Sequence, residues 1–248
     1  MSSDTLISLS GVWKQYSLHP IFHRSLREDI VNLLKKQRPT GIDQDHFWAL
    51  KNIALSLNRG ECVGLYGHNG AGKSTILKLI AHVTYPDRGE LKIRGRIAPL
   101  IEVGAGFHPD LSGRENIFVN GTIIGMTIAE VRDKMEQIVA FAELEKFIDL
   151  PIKRYSSGMH LRLGFSIAIH SQADIVILDE ILAVGDENFQ QKCLSKIREL
   201  KARGTTLLLV SHDINRLRQV CDRIITLRQG AIVKEERLNA CKETIEQT

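Results

Sequence analysis

Apolar residues along this chain change their spacing several times, and the changes mark out its elements. From Leu6 to Tyr16, Ile7, Leu9, Val12 and Trp13 supply the apolar content of a strand, and Trp48 to Leu57 reads as a second strand. Between them, residues 17–47 break the pattern. Within that stretch Leu26, Ile30, Leu33 and Leu34 recur at helical spacing among cationic residues, from Ser25 to Lys36, and Pro39-Thr40-Gly41 stops the run. Such an amphipathic helix admits two readings, a surface helix packed on the domain or a helix that meets a membrane interface or a partner.

Cys62-Val63-Gly64-Leu65-Tyr66 is a short apolar run of strand type, and Ile76 to Ile80 reads as helix. Short strands follow at Glu90–Ile93 and Gly95–Ile101, after a turn at Pro86-Asp87-Arg88-Gly89. Between Leu111 and Ile152 the period becomes helical, with Val131, Met135, Ile138, Val139 and Ala142 on one face. Ala173 to Glu180 is a continuous run of the kind that parallel strands buried on both faces carry. Phe189, Cys193, Ile197 and Leu200 return to helical spacing up to Gly204. Thr205–Val210 is another buried strand, and Arg223–Val233 reads as a hairpin turning at Gln229-Gly230. Strand alternating with helix predicts an α/β fold with a parallel-sheet core.

Composition narrows the picture only slightly. A chain of 248 residues, 43% hydrophobic and 25% charged, is long enough for one large domain with a subdomain inserted in it. A net charge of +4 and a pI near 8.9 fit nucleic acid or an anionic membrane surface equally well. The four cysteines, Cys62, Cys193, Cys221 and Cys241, form no C-x-x-C pair, so neither zinc nor a disulfide framework is expected. A reducing cytoplasm is the default setting. No long uninterrupted apolar run and no cationic leader is present in the sequence, so a pore served by this chain is expected to belong to another polypeptide.

Candidate chemistry starts at Gly67-His68-Asn69-Gly70-Ala71-Gly72-Lys73-Ser74-Thr75, directly after the Cys62–Tyr66 strand. The spacing is that of the P-loop, G-x-x-x-x-G-K-[ST], in which backbone amides and a helix N-terminus converge on phosphate oxygens. Lys73 brings a point charge to the β/γ-phosphates, and Ser74 offers a hydroxyl to Mg²⁺. Asp179 and Glu180 close the buried strand, where an open parallel sheet presents its ligand site. One carboxylate there suits Mg²⁺ and the next an attacking water. His212, at the end of the following strand, reaches the same sheet edge and is a candidate either to donate to the γ-phosphate or to fix the attacking water. Tyr155-Ser156-Ser157-Gly158-Met159 precedes a helix expected from about His160 to Ile169. It serves either as a second anion-binding helix terminus or as a simple N-cap.

Together these residues resemble the nucleotide-binding subunit of an ABC transporter across essentially the whole chain. The resemblance implies a P-loop NTPase fold with an N-terminal antiparallel β subdomain and an inserted helical subdomain. Residues 1–60 are then the β region with its 17–47 insertion, 61–110 and 160–248 the P-loop core, and 111–159 the helical subdomain with the signature. Tyr155–Met159 matches the LSGGQ signature, and Arg162 the basic residue after it. Ala183-Val184-Gly185-Asp186 matches the D-loop, and Tyr16 the aromatic residue that stacks on adenine. Glu102 or Val103, depending on a one-residue gap, falls where the family carries its Q-loop glutamine, and Met159 replaces the signature's own glutamine.

The stretch from Leu100 to Ile117, with the acid pair followed by Ile181-Leu182-Ala183-Val184, is similar to the polysaccharide exporters, the Wzt, KpsT and TagH-like ATPases. That likeness implies MgATP hydrolysis at two composite sites in a homodimer, on the cytoplasmic face of the cell membrane, beneath a separate permease dimer. The permease handles the lipid-linked polysaccharide, O-antigen first, then capsule or teichoic acid, and nucleic acid is no partner. Ser74 and Asp179, with Glu102, would hold Mg²⁺, Glu180 would be the base, and Ser157 and Gly158 would act in trans. The stretch after His212 is too short for a carbohydrate-binding module, so recognition through one is not expected. Rival readings are an importer or small-molecule exporter subunit and a soluble ABC protein acting on ribosomes or DNA. Against the last stand the single P-loop and the lack of a long coiled-coil insertion.

Overall fold

A computed structural model describes residues 4–17, 46–100, 106–179 and 186–238. Its six-stranded sheet runs β5-β6-β7-β3-β8-β9, with β3 at Cys62–Tyr66, β5 at Ile97–Leu100, β6 at Ile175–Asp179, β7 at Thr206–Ser211, β8 at Arg223–Arg228 and β9 at Ala231–Arg237. The first five are mutually parallel, and β9 returns antiparallel on β8. All six residues of β7 are buried, as both faces of a covered parallel sheet require. Successive side chains therefore feed two different cores. Cys62, Val176, Leu178, Leu207, Leu209 and Ile224 point into one; Val63, Ile175, Ile177, Leu208, Val210 and Ile225 point into the other.

The second of these cores is closed by helix α1, Lys73–Ile80, and by a three-stranded antiparallel sheet of order β2-β1-β4. Here β1 is Thr5–Ser17, β2 is His46–Asn58 and β4 is Arg88–Ile93. The first core is closed by α2, Gly113–Ile123, α3, Ile128–Ala142, α4, Ser157–His170, and α5, Glu187–Ala202. Both α2 and α3 begin with a capping box, Ser112 with Glu115 and Thr127 with Glu130, which satisfies orphan amides at each N-terminus. The expected α3 face of Val131, Met135, Ile138, Val139 and Ala142 is buried throughout. Among the described residues no helix is long and apolar enough to cross a membrane.

Several details differ from the sequence-based expectation, among them β5, which begins at Ile97 rather than Gly95. Arg88 and Gly89 belong to β4 rather than to the preceding turn, with Gly89 in the left-handed region pressed on the Gly11 carbonyl. The helix expected from His160 begins at Ser157, because Ser156 caps it by accepting from the Met159 amide. A short helix α6, Ile214–Arg218, follows β7, capped by Asp213. The amphipathic segment Ser25–Lys36 lies outside the described residues, as does most of the 17–47 insertion; β1 and β2 take in its first residue and its last two.

Candidate functional site

The glycine-rich loop joins β3 to α1. Gly72, the N-cap of α1, has φ 105, and a Cβ there would fall 2.8 Å from Leu50 Cδ2 and 2.9 Å from the Ala49 carbonyl oxygen. Only glycine permits that backbone against β2. The loop is held by its neighbours: the Gly230 amide donates to the Ala71 carbonyl at 3.0 Å, and the Lys51 amide donates to the Gly230 carbonyl at 2.7 Å. Lys73 is buried, and its ammonium donates to the carbonyls of Gly67 at 2.7 Å and His68 at 3.2 Å. A buried cation satisfied by carbonyls of its own loop sits where it can turn to an incoming anion.

A cavity of about 720 Å³ opens over this loop. It is lined by Asn69, Gly70, Ala71, Gly72, Lys73, Ser74 and Thr75, by Asp179 from the end of β6, and by Tyr16 from the end of β1. Residues from three distant stretches thus meet around one space. His212 is exposed one residue beyond β7, whose Ser211 pairs with Tyr66, so it shares the sheet edge of the loop. Gly67 and His68 meet Lys73 through their carbonyls. Glu180 and Glu102 lie outside the described residues, as do Ala183, Val184 and Gly185.

The residues Tyr155–Met159 are not among those lining this cavity. Ser156 and Ser157 are exposed, Gly158 and Met159 half-buried, and the Tyr155 hydroxyl is turned inward, donating to the Phe147 carbonyl at 2.9 Å. Burial pushes the Tyr155 phenol above its ordinary pKa, so it stays a neutral donor. Asp186 caps α5 by accepting from the Phe189 amide at 2.9 Å, and that bond, with the Arg162 guanidinium beside it, holds its carboxyl below the usual range. Two helix N-termini, those of α1 and α4, therefore present amides in separate places on one chain.

Comparison with known proteins decides what this arrangement is. The ABC transporter family's sequence profile matches residues 50–183. This chain belongs to that family. It is 48% identical over 89% of its length to the O-antigen export system ATP-binding protein RfbB of Myxococcus xanthus, spanning 51% of that protein. It is 42% identical to a protein of the same name from Klebsiella pneumoniae, over 90% of this chain and 89% of the relative. The teichoic acids export ATP-binding protein TagH of Listeria monocytogenes is 39% identical over 94% of this chain and 67% of its own length. Among solved structures, the dimeric structure of a post-hydrolysis state of an ATP-binding cassette bound to ADP and Pi superimposes with a TM-score of 0.75, at 25% identity, covering 94% of this chain and 99% of that one. The chain is accordingly an ABC ATPase that binds ATP, one component of a transporter whose membrane-spanning part is a partner.

Sequence reasoning did not find Phe47, Lys51, Gln229 and Gly230, which line the same cavity. The Gln229-Gly230 turn was legible as a turn; that β8 lies beside β3, bringing the turn to the loop, was not.

Proposed function

We propose that this chain is the ATP-hydrolysing subunit of an exporter that moves lipid-linked polysaccharide of the O-antigen kind across the cytoplasmic membrane. The observation carrying this reading is the near full-length likeness to the Klebsiella O-antigen export protein, 42% identical and 89% covered. It would sit at the cytoplasmic face under a separate permease dimer, which handles the polymer.

In this reading Lys73 leaves the Gly67 and His68 carbonyls for the phosphates, which the loop amides also grip. The adenine lies against Tyr16, which lines the same cavity. Ser74 and Asp179, which line one space, are the residues that would hold Mg²⁺. Mg²⁺ supplies charge that offsets the phosphate oxygens. Glu180 takes a proton from the attacking water, and His212 donates to the γ-phosphate. Ser157 and Gly158 of a second copy close the open side, with Asp186 near the same seam, so that ATP binding drives dimer closure.

The test is cellular. In cells lacking this chain, the wild-type protein should restore surface polysaccharide, while Glu180→Gln and Lys73→Met should leave lipid-linked polymer inside. Normal surface polysaccharide without the chain would overturn the reading.

A further inference from the structure

Besides Tyr16, two aromatic side chains line the cavity, Phe47 and Trp48. Tyr16 and Phe47 are directly opposed across the β1–β2 pair, so their side chains share a face. Their ring centroids are 6.0 Å apart with planes inclined at 34°. That separation is too small for a base to slip between the rings, since a sandwich needs about 7 Å, so the rings form one tilted floor. Phe47 is 47% exposed, and both residues line the cavity above the phosphate loop. The Lys14 ammonium stands 5.6 Å from the centre of the Tyr16 ring, so part of that ring's π surface is already engaged. Trp48, the next residue along, packs edge-on to Trp13 at 5.2 Å and lies under the Arg88 guanidinium. Among the described rings that line the cavity, Phe47 is the most exposed.

We infer that Phe47 is a second aromatic contact for the nucleobase and a determinant of base preference, widening the stacking floor from one ring to two so that bicyclic purines gain more than pyrimidines. The inference rests on the proposed ATP site and deepens it: the loop fixes the triphosphate, and the Tyr16–Phe47 floor chooses the base. Stacking gains scale with the π area covered, which is why removing the outer ring should weaken binding of every base but purines most.

The experiment is equilibrium binding by the full chain of ATP, CTP and inorganic triphosphate, compared among wild type, Phe47→Ala, Phe47→Trp and Lys73→Met. Phe47→Ala should weaken ATP about five-fold or more, weaken CTP less, and leave inorganic triphosphate unchanged; Phe47→Trp should restore ATP affinity. Unchanged ATP affinity in Phe47→Ala would overturn the inference while leaving the site intact. Equal weakening of ATP and inorganic triphosphate would also overturn it, by assigning Phe47 to support of the loop. Undiminished triphosphate binding by Lys73→Met would instead remove the proposed site itself, and the inference with it.

Discussion

The Gly230 amide donates to the Ala71 carbonyl at 3.0 Å, fastening the β8–β9 turn to the phosphate loop from behind. Both turn residues have positive φ, 49° at Gln229 and 79° at Gly230, the conformation that a two-residue hairpin with matching twist requires. Because the Gly230 carbonyl also accepts from the Lys51 amide, the turn joins β2, β8 and the loop in one hydrogen-bonded chain.

Gly230→Ala should therefore damage the site without touching a phosphate. A Cβ would lie 2.6 Å from the Ala49 carbonyl oxygen in a left-handed residue, so the turn must move, at about 1–3 kcal/mol. A lowered melting temperature together with weakened ATP binding is expected. A variant that melts lower yet binds ATP as wild type would show that the turn does not set the loop.

Lys73→Met separates charge from packing. The side chain is buried, and methionine keeps most of its volume, so the fold should survive while ATP affinity falls about 10- to 100-fold, the worth of a charge-assisted contact. Calorimetric titration with ATP reads the loss directly; affinity within a factor of two of wild type would contradict the assigned role.

How much of this was legible beforehand depends on whether it was local. The β3 strand, the glycine-rich loop and the face of α3 are written in contiguous residues, and the structure carries them at the expected places. What neighbours what was not. Cys62 and Cys221, scattered in sequence, have sulfurs 3.8 Å apart, because β8 lies beside β3. Phe47 and Tyr16 meet only because β1 and β2 pair across the long insertion. The start of α4 was missed by three residues because two serines compete for the cap and Gly158 weakens the local helical signal.

Arg162 should prove to be a joint between elements. Its guanidinium bonds Glu143 at the end of α3 and Asp186 at the start of α5, and stands 4.5 Å over the Phe189 ring. Arg162→Ala should lower stability by roughly 1–3 kcal/mol, mostly through the partly buried stacking and lost packing rather than the more exposed ion pairs. Arg162→Lys should fall between, since it keeps charge and loses the fork. Denaturant midpoints equal to wild type in both would exclude that role.

His170 gives a pH dependence with a defined sign. Its Nδ1 lies 2.7 Å from the Ser166 carbonyl and its ring meets Phe141 edge-on at 5.8 Å; burial, partly offset by the Ser166 contact, depresses its pKa. The unfolded chain then takes up this proton more readily, so the stability linked to it is complete above about pH 6.5 and is lost as pH falls through the folded value. Melting curves of wild type and His170→Phe between about pH 7 and 5 should diverge, the wild type falling more steeply. Parallel curves would contradict this.

Complementation between two inactive variants tests the composite site most directly. Lys73→Met spoils only the phosphate loop, and Gly158→Asp only the α4 terminus, where a Cβ meets nothing nearer than Ser156 Oγ at 3.8 Å and the fold should persist. If the loop of one copy works with the α4 terminus of another, each variant alone hydrolyses no ATP, and an equal mixture recovers about a quarter of wild-type turnover through mixed dimers with one intact site. No recovery at any mixing ratio, with both variants folded, would contradict the account.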